Sequence, residues 1–188
     1  MTIVQTRAME FFCFHRDRAC SGPLRRRMVE QHWTYMDRYD SALALRGPAF
    51  DDDEQLVGSV HVVEVATSTD ARAFAFDEPC YQAGAYRDVM LRRWDNVLGR
   101  SMWQYPRCDH TDGLFLCVGF EAEPRGPLRA QIPDADLVAF GHLLSDDATL
   151  QLGTVAIVRA PGARAARDVL GDSLTGIEAY RWTFGGRR

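Results

Sequence analysis

The sequence contains no lysine: its 22 strongly basic residues are all arginine. That excludes a Schiff-base lysine and a lysine general base. With the abundant alanine it fits the coding bias of a GC-rich genome. Cysteine is sparse and never spaced as C-x-x-C; the five are Cys13, Cys20, Cys80, Cys108 and Cys117. Cys108 and His110 lie close together but have no second pair at ligand spacing, so no structural zinc site is expected. No run approaches the about 20 apolar residues of a membrane span. The opening MTIVQTRAME holds no apolar stretch of signal-peptide length. Reduced thiols in a cytoplasmic protein, away from membranes, are the expectation. A phosphate loop, a dinucleotide-binding glycine fingerprint, H-E-x-x-H and an EF-hand loop are all missing, so neither a cofactor nor a metal is expected. Asp51, Asp52 and Asp53 lack calcium-loop spacing and read as a hairpin tip. Net charge is -4 and no basic stripe is interleaved with aromatics, so nucleic acid is not an expected partner. The arginine groups at 25–27, 92–93 and 187–188 read as solvated faces rather than phosphate clamps.

What is present is a chain of 188 residues, 46% hydrophobic and 26% charged, the balance of a soluble globular protein. MEFFCFH (9–15) reads as a strand, and residues 24–42 read as a helix. Leu24, Met28, His32, Tyr35 and Tyr39 fall at helical spacing on one face of that helix. LALRGPAF is a second strand, broken or bulged at Gly47-Pro48. DDDEQ is a turn and VGSVHVVEV a third strand. In it Val60, Val62 and Glu64 alternate against His61, Val63 and Val65. Ser68-Thr69-Asp70 caps the helix ARAFAF, DEPCYQAGAY is a loop, and RDVMLRRW is a fourth strand.

The same order returns more faintly after residue 112. GLFLCVGF (113–120), ADLVAFGHLL, LGTVAIV and IEAYRWTF read as strands, with PGARAARDVL as the helix between the last two. Gly141 matches Gly47, Gly153-Thr154 matches Gly58-Ser59, and Arg181-Trp182 echoes Arg93-Trp94. Cys13 and Gly47 are 34 positions apart, whereas Cys117 and Gly141 are 24 apart. The second copy has thus shortened its first helix or turned it into a loop, and it keeps no counterpart of His32. The reading is α+β: two ferredoxin-like βαββαβ units of the dimeric α/β-barrel type, at 1–95 and 113–188, joined by a linker at 96–112. Apolar residues on both faces of the strands require each sheet to be covered, so the two sheets are expected to pack face to face as a pseudo-dimer within the chain. A further homo-oligomer is left open.

Residues 46–94 add a specific pattern: Gly47-Pro48, the acidic turn, Gly58-Ser59, then Asp77-Glu78-Pro79, Ala83-Gly84-x-Tyr86 and Arg93-Trp94, with His32 upstream in EQHWTYMDRY. This resembles the YCII-related family of small α+β proteins, clearly over 9–95 and weakly over 113–184. The resemblance implies paired sheets. It also implies a histidine at the place of His32 facing an acidic residue from an Asp-Pro-Tyr loop. Counting back from Ala83-Gly84 aligns Glu78 with that acid, and Asp77 precedes it. The family's tyrosine is Cys80 here, with Tyr81 one place later.

His32 is therefore the candidate proton-transfer group, or else a structural core histidine. Glu78, or Asp77, would orient its ring; alternatively both are solvated loop carboxylates. Arg25 and Arg26, about two turns earlier, either hold an anionic substrate group or are exposed helix charge. Ser59 is a candidate hydrogen-bonding residue without a nucleophile elbow around it. Cys80 is a nucleophile by position only. Tyr35, Tyr81 and Tyr86, with Trp33 and Trp94, could line a pocket for a flat molecule or belong to the core. By resemblance, these residues imply a cofactor-independent lyase, isomerase or cyclase. Its substrate would be a small cyclic, aromatic or polyketide-type molecule. A cofactor-free oxygenase and a non-catalytic small-molecule binder or accessory protein are the alternatives.

Overall fold

The computed structural model describes residues 8–106, 111–126 and 132–186. Cys108, His110, the opening seven residues and the Arg187-Arg188 pair lie outside the described residues. Eight strands and four helices follow in the order β1 (Met9–Asp17), α1 (Gly22–Asp37), β2 (Leu43–Phe50), β3 (Leu56–Val65), α2 (Ser68–Phe76), α3 (Pro79–Gln82), β4 (Tyr86–Asn96), β5 (Gly113–Arg125), β6 (Leu137–Leu144), β7 (Gln151–Ala160), α4 (Ala163–Asp168) and β8 (Leu174–Trp182). The strands form one closed antiparallel barrel in the order β1-β3-β2-β8-β5-β7-β6-β4.

Closure gives the expected barrel arrangement a detail the sequence reading did not state: the two facing sheets are hydrogen-bonded to each other along their edges. Each run of four strands has an order of the same kind, β4-β1-β3-β2 and β8-β5-β7-β6, but their edges are joined. Ala49 and Phe50 of β2 pair with Trp182 and Arg181 of β8. Arg93 through Asn96 of β4 pair with Leu144 through Gly141 of β6. An open edge would leave a row of unpaired backbone N–H and C=O groups, and joining the edges satisfies them. The inner faces still meet in one shared core. Phe12, Val60 and Val62 from the first half pack there with Leu116, Val155 and Ile157 from the second. The alternation of Val60 and Val62 against His61 and Val63 is therefore real: the first pair points into the barrel and Val63 packs under the helices with Phe74.

Two glycines fix the approach of the halves. A Cβ added at Gly47 would stand 2.6 Å from the Trp182 ring, and one at Gly141 would stand 2.5 Å from the Trp94 ring. Each tryptophan thus sits on the other half's glycine.

The helices differ from the sequence expectation in three places. α1 ends at Asp37 and the chain tightens to a single 3-10 turn at Asp40–Ala42, so the helix does not run to Ala42. α2 is capped by Thr67 rather than by the Ser68–Asp70 cluster, with Thr67 and Asp70 exchanging a reciprocal capping box. The Glu-Pro segment is not a loop throughout. Proline ends α2's reach but suits the first position of a new helix, so Pro79 opens the one-turn α3 with Glu78 as its cap. Among the described residues no helix lies between β5 and β6.

Candidate active site

A cleft of about 1180 Å³ opens between α1 and the helix-covered face of the barrel. Arg25, Val29, His32 and Met36 of α1 line it at helical spacing, as do Ser59 and His61 of β3 and Cys80 of α3. The spacing of 25, 29, 32 and 36 is one face of one helix. It is turned a little from the Leu24–Met28–His32–Tyr35–Tyr39 face expected from the sequence.

His32 and Glu78 meet at the inner wall. Nδ1 of His32 lies 2.8 Å from Oε1 of Glu78. The Glu78 side chain is 0% exposed and that of His32 is 13% exposed. The second carboxylate oxygen accepts the Tyr81 amide at 2.8 Å, which is the helix-cap contact of α3. Burial pushes the Glu78 pKa upward, but the hydrogen bond and charge of His32, with the amides of Cys80 and Tyr81, outweigh it and bring it down to about 2. Glu78 is therefore an acceptor only. Nδ1 of His32 donates to it, and in the neutral form of the ring Nε2 carries the lone pair.

Arg25 forms the second group. It is buried, which overturns its reading as an exposed helix charge. Its Nη2 donates to Ser59 Oγ at 2.7 Å, its Nη1 donates to the Tyr86 hydroxyl, and its guanidinium stacks on the Tyr86 ring at 4.8 Å. Its Nε stands 3.7 Å from Asp17 Oδ2. Burial lifts the Asp17 pKa above its ordinary value against the pull of Arg25. Arg26 is exposed and stands at the cleft rim.

Other candidates sit elsewhere. Tyr35 lies in the core beneath α2, donating to the Ala73 carbonyl at 2.9 Å, and is absent from the cleft lining. Asp77 is exposed at the end of α2, outside the cleft. The Tyr81 ring packs on Phe76 with centroids 5.1 Å apart, so its backbone and not its phenol serves the site. Tyr86 is buried under Arg25 as a support. These four corrections share a cause. Each side chain is held by partners on another element or turned away from the cleft, which sequence spacing alone does not give.

Cys80 does reach the cleft. Burial, then the Glu78 charge, lifts its thiol pKa to about 11, so it is not a nucleophile near neutral pH. His32, Glu78 and Cys80 place donor atoms within 4.8 Å of one another. A cation there would have to displace the His32 proton and compete with the Tyr81 amide for Glu78. The set fits a hydrogen-bonded dyad better than a metal site.

Two cleft-side histidines were not singled out from the sequence as site residues. His61 is 2% exposed. His15 is fully buried behind it, its Nε2 donating to the Ala75 carbonyl at 2.7 Å, and burial draws its pKa down to about 4. The signal available was a polar residue on the helix-facing side of each strand's alternation.

Residues 9–95 match the model of the YCII-related domain. The matched segment is the one that supplies His32, Glu78, Arg25 and Ser59. No curated protein matches the chain. Among solved structures, it is similar to the 5-chloro-2-hydroxyhydroquinone dehydrochlorinase of Burkholderia phenoliruptrix AC1100 in complex with 2,5-dihydroxybenzoquinone. That match has 22% identity over 47% of this chain and 95% of the other, with a TM-score of 0.44. It is also similar to an anthrone oxidase-like protein, at 9% identity over 98% of this chain and 94% of the other, with a TM-score of 0.49. No helix among the described residues is long and apolar enough to cross a membrane.

Proposed function

We propose that the protein is an enzyme that moves a proton on a small cyclic, aromatic or polyketide-type molecule, as a lyase, isomerase or cyclase, with His32 as its base. The observation that carries this reading is the 2.8 Å contact of His32 with the wholly buried Glu78 at the wall of a large cleft. Glu78 holds the ring in one tautomer and balances the imidazolium once it forms. Nε2 then takes a proton from a carbon beside a carbonyl or phenol. The C–H electron pair becomes a C=C bond and the carbonyl pair moves to oxygen. The fixed charge of Arg25 lies near enough to favour that anion. Loss of a leaving group, or return of the proton to another carbon, completes the reaction.

Residues 1–95 are read as the working unit, 113–188 as a second unit kept for packing, and 96–112 as the linker. The shared kind of strand order supports this reading. The test is deuterium uptake from heavy water into a panel of small cyclic ketones and phenols, followed by NMR. Wild-type protein should catalyse exchange or conversion that His32→Ala loses, at equal rates under air and nitrogen. A strict requirement for oxygen would transfer the reading to an oxygenase. Binding without exchange or conversion would transfer it to a binder.

A further inference from the structure

We propose that His61 is a second catalytic residue, the hydrogen-bond donor to the oxyanion that forms on the substrate when His32 removes a proton. The proposal rests on the reading of His32 as the base. His61 lies on β3 two positions from Ser59, and both side chains line the cleft. Its ring is clamped edge-on against Phe74 and His15, with centroids 5.5 and 5.9 Å away, and it tilts toward His32 at 6.3 Å. Rings so close on one cleft wall can reach neighbouring atoms of one enolisable unit lying in the cleft, the α-carbon at His32 and the carbonyl oxygen at His61.

The nitrogens of His61 are not equivalent. Nδ1 is sealed from solvent and meets no hydrogen-bond partner. A neutral imidazole has one N–H and one lone pair. An orphaned buried donor is rarer in proteins than an under-used acceptor. The lone pair therefore belongs on Nδ1 and the proton on Nε2, the nitrogen left for a molecule in the cleft.

The ring stays neutral. Burial is the first cause, and the charged or chargeable groups facing it add to it: His15 from β1, His32 and Arg25 from α1, and Arg46 from β2. A ring so resistant to protonation is a poor base, yet its N–H remains a donor. A neutral imidazole is known to polarise a carbonyl in this way. The balance closes without a further reagent. The substrate proton goes to Nε2 of His32, the electron pair to the carbonyl oxygen, and His61 shares its proton without losing it.

The probe is 4-nitrophenolate, a stable oxyanion whose absorption reports its surroundings. Wild-type protein should bind it. His61→Phe should weaken binding about 10- to 100-fold, and His61→Gln, which keeps an N–H donor, should recover part of the loss. In turnover, His61→Phe should lower kcat about 10²- to 10³-fold with little change in KM. Phenolate binding indifferent to His61, or no binding by wild type, would overturn the proposal. Failure of the His32 reading shows itself differently, as an active His32→Ala enzyme with phenolate binding intact. Nitrogen-15 NMR of the wild-type histidine rings needs no variant to fold. It should show the His61 proton on Nε2, shifting when the phenolate is added; a proton on Nδ1 would sink the idea.

Discussion

The two halves of the barrel use matching positions for different ends. In the first, Cys13 pairs with His61 and His15 with Ser59; in the second, Cys117 pairs with Ala156 and Gly119 with Thr154. The register is the same and the chemistry is not. Where His15 and His61 face the helices in one half, the other has a glycine and an alanine. The space is filled by apolar side chains: a Cβ at Gly119 would stand 3.0 Å from Leu174 and 3.2 Å from Ile177. Ala156 packs with Phe115 and Phe140. The helix cover shrinks in step: among the described residues the 16-residue α1 has no counterpart, and the nine residues of α2 are matched by the six of α4. Inside the barrel the halves stay alike, because each must complete the other's core. Outside, a polar layer needs an overlying helix to close it, and one such layer suffices for one cleft.

The largest contrast should appear in turnover. His32→Ala should reduce it about 10²- to 10⁴-fold while leaving the fold intact, with a lowered thermal midpoint because the buried Glu78 loses its partner. An active variant on an identified substrate would move the chemistry away from this half's dyad.

Acid sensitivity should also divide the halves. The folded-state pKa of Glu78 lies at about 2, below its ordinary value. A depressed carboxylate adds stability above its unfolded pKa, and that stability is lost as pH falls toward the folded value. Wild type should therefore weaken as pH falls from about 4.5 toward 2 in the linkage sense of a depressed carboxylate. Glu78→Gln should weaken less over the same range, and its turnover should fall less than that of His32→Ala. Thermal midpoints of both proteins against pH provide the check. Parallel curves would mean that Glu78 is not held ionised by His32.

A smaller effect tests what the halves share. Gly47→Ala and Gly141→Ala each drive a methyl group into the other half's tryptophan. Each should cost about 1–3 kcal/mol, and by similar amounts. Denaturant unfolding measures both. Unequal losses would show that the two seams of the barrel are not equivalent.

The strands were legible because alternation survives in both halves, from Phe12 and Phe14 to Val155 and Ile157. The pairing of the edges was not, since nothing in β2 or β4 marks which strand it joins. In the candidate site, the meeting of His32 with Glu78 was legible through the pattern of the Glu-Pro segment, not through spacing. Arg25 was misread as solvated because its partners Ser59 and Tyr86 lie 34 and 61 positions away on other elements. His61 was read only as one step of a strand. What makes it notable, an unpartnered nitrogen among three rings, exists only after β3, β1, α1 and α2 are assembled.

The smallest expected effect falls in the second half. His142 is buried there, and its Nδ1 lies 3.0 Å from Thr154 Oγ1. Thr154 holds the register position of Ser59, so this half is not without a histidine beside its cleft-side strand. It differs in the partner. Among the described residues no carboxylate accepts from His142, and burial lowers its pKa, so it lacks the balance that Glu78 gives His32. The threonine hydroxyl can serve as either donor or acceptor, and it fixes neither tautomer nor charge. His142→Ala should therefore leave deuterium exchange and turnover unchanged, with a modest loss of stability from the vacated space. Measured beside His32→Ala on the same substrate, it asks whether a buried histidine suffices. Equal losses in the two variants would show that both halves carry chemistry and that the contrast between them is one of packing alone.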